Sequence, residues 1–207
     1  YVVMPSSAPV IKRNATADYG AEIITCAPNI ASRKEHLDAV VAQTKATFIH
    51  PFDDYNVIAG QATVAKEMLE DEGGFDYMMA PIGGGGLMSG TALSTHYWSP
   101  NTKVIGTEPE AVNDAFLSYQ AGYIVPNKTI DSIADGLLTN LSDKTFGIIQ
   151  KYVEEIITVS EADIIAAMRL IWERMKILVE PSSAVPLAAI LRNKERFADK
   201  KIGLIIT

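Results

Sequence analysis

Short β-rich runs alternate with amphipathic stretches along this entire sequence, and that alternation constrains the fold more than any other feature. Strands are expected at Val2–Met4, Glu22–Thr25, Thr47–His50, Tyr77–Ala80, Lys103–Thr107, Glu155–Val159 and Ile202–Thr207. Most are short and bounded by Gly, Pro or polar residues, as buried parallel strands tend to be. Helices are expected between them, over Ala8–Tyr19, Ser32–Lys45, Asn56–Asp71, Leu87–Trp98, Ser160–Leu178 and Ser182–Asn193. Gly20 suits a helix C-terminus, Ser32 an N-cap, and Ser160-Glu-Ala-Asp163 a capping box with Asp in place of Glu or Gln. The pattern predicts an α/β fold with an open, mostly parallel sheet flanked by helices. A hinge between domains is expected near Pro51–Asp54, where Pro and two acids interrupt the pattern.

Composition narrows the function. The net charge of -7 over 207 residues disfavours a nucleic-acid binder, which would show a basic face. Cys26 is the one cysteine, which excludes an intramolecular disulfide framework and a thiolate zinc cluster and fits a reducing, cytoplasmic compartment. No apolar run reaches the roughly 18 residues of a membrane span. The opening Tyr1-Val-Val-Met4 and the closing Ile202-Gly-Leu-Ile-Ile-Thr207 both read as core strands, so the chain is expected to be part of a longer protein.

Pro81-Ile-Gly-Gly-Gly-Gly-Leu-Met-Ser-Gly90 places four glycines between a strand and a helix. Glycine lets the backbone bend sharply and lets several N–H groups converge. The helix start adds its positive end, and together these features suit a phosphate. No Gly-Lys-Ser/Thr follows, so a nucleoside triphosphate is disfavoured and a phosphorylated small cofactor fits better. A dinucleotide domain would need Gly-x-Gly-x-x-Gly after an early strand, and the tetraglycine comes late.

This loop resembles the phosphate loop of fold-type II pyridoxal phosphate (PLP) enzymes, a tryptophan-synthase-β-like architecture of two domains. Within that group the chain resembles the serine racemase and threonine/serine dehydratase family. Val57-Ile-Ala-Gly-Gln61, Gly106-Thr-Glu-Pro109, Ile133-Ala-Asp-Gly136 and Trp172-Glu-Arg-Met-Lys-Ile-Leu-Val-Glu-Pro181 agree in order and spacing. The resemblance implies that residues 1–53 are the second half of a small domain and 54–207 most of the large one, both incomplete. It implies that Gly83, Gly84, Gly85, Gly86 and Leu87 hold the PLP phosphate, that Gly136 lies beside the ring, that Glu180 sits near it, and that Thr207 hydrogen-bonds the pyridine nitrogen. The implied activity is an ammonia-lyase (dehydratase) on serine or threonine. Serine racemization and 3-hydroxyaspartate dehydration are close alternatives, and a non-catalytic anion-binding module is an alternative of another class. Phe52-Asp-Asp54 after His50-Pro51 looks more like the dehydratases, since serine racemase has Asn after the matching His-Pro. The family's cofactor-bearing lysine sits in a Ser-Phe-Lys-type motif that none of the twelve lysines here matches, so it is expected upstream and this stretch alone is expected to be inactive. A homodimer is implied for the intact protein.

Glu108-Pro-Glu-Ala-Val-Asn-Asp114 holds two carboxylates six residues apart with a carbonyl between them, a set that can converge on a hard divalent cation. Its plainer reading is a solvated acidic loop. The resemblance points to a Mg, Mn or Ca site made by Glu108, the Val112 carbonyl and Asp114. His36 and His96 are expected on helix surfaces, His50 as a strand-end hydrogen bonder, and Cys26 as a small buried hydrophobe. Ser182-Ser183 is expected to cap the next helix, and Lys200-Lys201 to form a solvated turn.

Overall fold

The computed structural model describes residues 1–207, the Ile30 side chain aside. The chain divides into two compact units, Tyr1–Ile49 and His50–Thr207, so Pro51–Asp54 belongs to the second. The first unit pairs β1 (Val2–Pro5) in parallel with β2 (Ile23–Cys26) and carries α1 (Val10–Asp18) and α2 (Ile30–Thr44). Gly20 is left-handed at φ 84, as expected after α1, and Cys26 is buried. The cap of α2 is Asn29, whose Oδ1 accepts from Ser32 N–H at 2.8 Å, so Ser32 lies within the first turn instead of capping it. The expected strand at Thr47–His50 does not form. Thr47, Phe48 and Ile49 are exposed, and β propensity without a partner strand makes no ladder.

The second unit is a four-stranded parallel sheet in the order β5-β4-β3-β6, made of β3 (Tyr77–Pro81), β4 (Lys103–Pro109), β5 (Glu155–Val159) and β6 (Ile202–Leu204). Side chains alternate between its two faces. Met78, Ala80 and Val104 pack with Ala65, Leu69, Met88 and Ala92 of α3 (Tyr55–Glu72) and α4 (Gly86–Trp98). Met79 and Ile105 pack with Ile164 and Ala167 of α7 (Glu161–Leu170) and Ala184, Val185 and Ala188 of α8 (Pro181–Arg192). Helices thus cover both faces, as a parallel sheet requires. The short α9 (Lys194–Phe197) leads into β6.

The Ser160 capping box forms as read: Ser160 Oγ accepts from Asp163 N–H, and an Asp163 oxygen accepts from Ser160 N–H, both at 3.2 Å. The helix it opens is shorter than expected. It passes into a π-helical turn over Ile171–Met175 and stops at Lys176, left-handed at φ 61. Two helices lie in stretches where none was expected, α5 (Asp114–Ala121) and α6 (Asp143–Tyr152). Among the described residues no helix is long and apolar enough to cross a membrane.

Candidate functional site

Parallel α/β sheets present their ligand crevice beyond the carboxyl ends of the strands. The tetraglycine leaves β3 at this end, Glu108 lies near the end of β4, and Thr207 follows β6. Gly85, left-handed at φ 86, is the N-cap of α4 and brings no side-chain cap. The first backbone bond of α4 runs from Ser89 N–H to the Gly85 carbonyl at 2.8 Å. The N–H groups of Gly86, Leu87 and Met88 precede it and have no acceptor within the helix. That is the donor set an anion needs.

The loop is gripped from three sides, and this is why it is glycine. A Cβ on Gly83 would lie 3.0 Å from the Gly136 carbonyl and 3.1 Å from Leu137 Cα. One on Gly84 would lie 2.3 Å from Phe52 Cδ1, and one on Gly86 3.0 Å from Phe52 Cβ. One on Gly85 would lie 2.8 Å from both Leu141 Cδ2 and Thr145 Cβ, at the start of α6. The cradle therefore has the 135–141 segment on one flank, Phe52 on another and α6 on the third. Its close packing fits a group held by backbone N–H alone, and the phosphate of PLP is such a group.

The other expected cofactor residues are tied to this frame. Gly136, exposed, donates its N–H to Ser182 Oγ at 3.1 Å. Ser183 Oγ donates to the Thr207 carbonyl and lies 3.2 Å from Thr207 Oγ1. Ser182 and Ser183 are both buried in the first turn of α8, so they connect Gly136 and Thr207 to one helix. Glu180 is the N-cap of α8, with no side-chain cap bond, and is exposed.

Glu108 and Asp114 are both fully buried, which contradicts a solvated loop. Glu108 accepts from the N–H groups of Ala115 at 3.0 Å and Phe116 at 2.9 Å. Asp114 accepts from Asn127 Nδ2 at 2.7 Å and from Leu141 N–H at 3.1 Å, and Val112 beside them is buried. The two carboxyl groups are near enough for the charge of one to act on the other. Burial pushes the Glu108 carboxyl well above its ordinary range, and the Asp114 charge adds to the shift. Burial raises Asp114 to about 6, against the lowering effect of the Leu141 N–H and Asn127. Two buried carboxyls whose described hydrogen-bond partners are amides, with no lysine or arginine among them, are hard oxygen donors of the kind a divalent cation takes.

Sequence reasoning did not assign roles at the site to Phe52, Asn127, Leu141 or Thr145. Phe52 carried one signal, an aromatic side chain within an otherwise acidic turn. His36 is half-buried, its Nδ1 2.8 Å from the Ser32 carbonyl, whereas His96 is exposed as expected.

Comparison with known proteins agrees with this geometry. The family described as pyridoxal-phosphate dependent enzyme matches residues 1–207. The chain is 48% identical over 206 residues to a β-hydroxyaspartate dehydratase of Paracoccus denitrificans, covering 100% of this chain and 65% of that protein. It is 43% identical over 214 residues to a serine racemase of Dictyostelium discoideum, again covering 100% of this chain and 65% of the relative. The crystal structure of the Dictyostelium discoideum serine racemase superposes with a TM-score of 0.92 at 42% identity, over 100% of this chain and 67% of that one. The crystal structure of a threonine deaminase of T.th. superposes with a TM-score of 0.88 at 41% identity, over 94% of this chain and 65% of that one. The chain thus spans about 65% of the length of the curated relatives it matches. A family match along every residue places this chain in the pyridoxal-phosphate dependent enzyme family.

Proposed function

We propose that the intact protein is a PLP-dependent ammonia-lyase that converts a small β-hydroxy amino acid into a 2-oxo acid and ammonium. Serine would give pyruvate and threonine 2-oxobutanoate. The observation that carries this reading is the tetraglycine cradle, closed on three flanks and opening its free N–H groups at the start of α4. When bound, PLP supplies an electron sink for the bonds at the amino-acid α-carbon.

The chain's own residues bind and orient. Gly83 to Leu87 hold the phosphate with N–H groups and the positive end of α4. Gly136 leaves room for close approach of the ring, and Ser182 holds its N–H. The Thr207 hydroxyl, steadied by Ser183, serves the ring nitrogen. A hydroxyl leaves that nitrogen largely unprotonated, which moderates the sink and favours elimination of a β-hydroxyl. Glu108, Asp114 and the Val112 carbonyl hold Mg, Mn or Ca as a structural or activating ion. Residues 1–53 and 54–207 serve as parts of the small and large domains of a cytoplasmic homodimer.

A second reading, 3-hydroxyaspartate as substrate, is favoured by the 48% identity to the β-hydroxyaspartate dehydratase. The test is a keto-acid assay of the intact protein with serine, threonine and 3-hydroxyaspartate in parallel, with chiral analysis of recovered serine. Keto acid from serine or threonine supports the first reading, and keto acid from 3-hydroxyaspartate alone supports the second. D-serine without keto acid replaces both with a racemase. No product from any substrate leaves a non-catalytic binding module.

A further inference from the structure

The half-buried turn that carries Phe52 is pinned at several points. His50 Nδ1 accepts the N–H of Asp53 at 2.8 Å and that of Phe52 at 3.3 Å. Accepting two backbone donors makes Nδ1 the unprotonated ring nitrogen and leaves the proton on Nε2. The same imidazole meets the Phe52 ring edge-on, with centroids 4.6 Å apart and planes at 90°. One residue on, Lys144 Nζ of α6 donates to both the carbonyl and the carboxylate of Asp53, each at 3.2 Å. Asp54 then caps α3 by accepting from Asn56 N–H at 2.7 Å.

These bonds act on the phosphate loop through one side chain. Phe52 fills the space behind Gly84 and Gly86, while α6 fills the space behind Gly85. The Lys144–Asp53 contact joins the two flanks, so the loop sits in a clamp whose Phe52 arm is set by His50. Glycine backbone has no side chain to hold its own curvature, so the shape presented to an anion depends on what presses on it. Preorganised donors bind more tightly than donors that must be ordered on binding.

We infer that His50 is a positioning residue for the cofactor phosphate: its Nδ1 fixes the 50–54 turn and thereby holds Phe52 against the tetraglycine loop. This rests on the proposed function, because it takes the loop to be the phosphate seat. His50 touches neither cofactor nor substrate in this role.

The test compares His50→Leu, which keeps bulk and loses the acceptor, with His50→Asn, whose Oδ1 reaches the same two N–H groups. Each variant of the intact protein is titrated with PLP and with pyridoxal, which lacks the phosphate, and its ligand-free melting temperature is recorded. His50→Leu is expected to weaken PLP binding about tenfold. Pyridoxal affinity should stay unchanged, and His50→Asn should regain most of the loss. Should His50→Leu fail to fold, Phe52→Leu takes its place and is expected to show the same phosphate-selective loss. Unchanged PLP affinity in His50→Leu overturns the inference. So does a parallel loss for pyridoxal, or an equal loss in His50→Asn. If the wild type itself binds PLP no better than pyridoxal, the proposed phosphate seat falls, and this inference falls with it.

Discussion

Gly85→Ala tests the cradle at its most constrained point. The native residue is left-handed at φ 86, a region that costs an L-residue roughly 1–2 kcal/mol. The new methyl would lie 2.8 Å from Leu141 Cδ2, 2.8 Å from Thr145 Cβ and 3.0 Å from Ile149 Cδ1. Thr145 Cβ is the rigid member, because its hydroxyl is tied into the Ser142 capping box at the start of α6. Overpacking of this kind costs about 1–3 kcal/mol. Restricting the unfolded chain returns about 0.4–1 kcal/mol. The net is a loss of roughly 1–5 kcal/mol, a large share of the roughly 5–15 kcal/mol that holds a domain together. Urea denaturation should show it as a lower midpoint with an unchanged slope. Gly147→Ala is the control: it lies within α6 with nothing within 4 Å of its added Cβ. It should gain about 1 kcal/mol from helix propensity. The reasoning is refuted if Gly85→Ala matches the wild type, or gains as Gly147→Ala does.

Gly90→Ala should also destabilise, by roughly 1–3 kcal/mol, because its Cβ would meet Ala62 N at 2.5 Å and the Ile58 carbonyl at 2.7 Å across the α3–α4 crossing. These are backbone atoms and cannot move aside, so a thermal melt showing a more stable variant would contradict the close approach. Lys176→Gly should gain up to about 1 kcal/mol by relieving the left-handed backbone at φ 61, read from the same denaturation curves. The Glu108–Asp114 pair makes stability depend on pH. Both carboxyls are raised on folding, so the folded state binds protons more tightly, and their contribution is fully present below the unfolded value of roughly 4. It declines as pH rises through about 6, the value for Asp114. In metal-free protein, Mn or Ca should therefore raise the melting temperature more at a pH of about 7.5 than at about 5, and Asp114→Asn should remove the difference. An equal rise at both pH values would argue against cation binding at this pair.

The α/β architecture was legible because strand and helix signals alternate and stay consistent along the chain. Thr47–His50 misled because Thr47, Phe48 and Ile49 have strand propensity but sit exposed, with no ladder to join. The α6 start was hidden by its chemistry: Thr145 occupies the position where a capping box more often shows Glu or Gln. The helix after Ser160 ends before the expected Leu178, and nothing in its apolar spacing announces the π-helical turn or the left-handed Lys176. Within the site, the tetraglycine was visible from local context alone. What presses on it was not, since Phe52, Leu141 and Thr145 are distant in sequence and reach the loop only through tertiary packing. Glu108 and Asp114 could be paired from spacing, but what satisfies them once buried could not: amides of Asn127 and Leu141 for Asp114, and the N–H groups of Ala115 and Phe116 for Glu108.

The tetraglycine loop is proposed to hold a cofactor phosphate through its backbone, and a crystal structure of the intact protein with PLP tests this most directly. Phosphate oxygens should lie about 2.7–3.2 Å from N–H groups among Gly83 to Leu87. Phe52 should stay seated behind Gly84, and the pyridine nitrogen should face the Thr207 hydroxyl. A phosphate bound by lysine or arginine side chains elsewhere, with the loop empty, would contradict it.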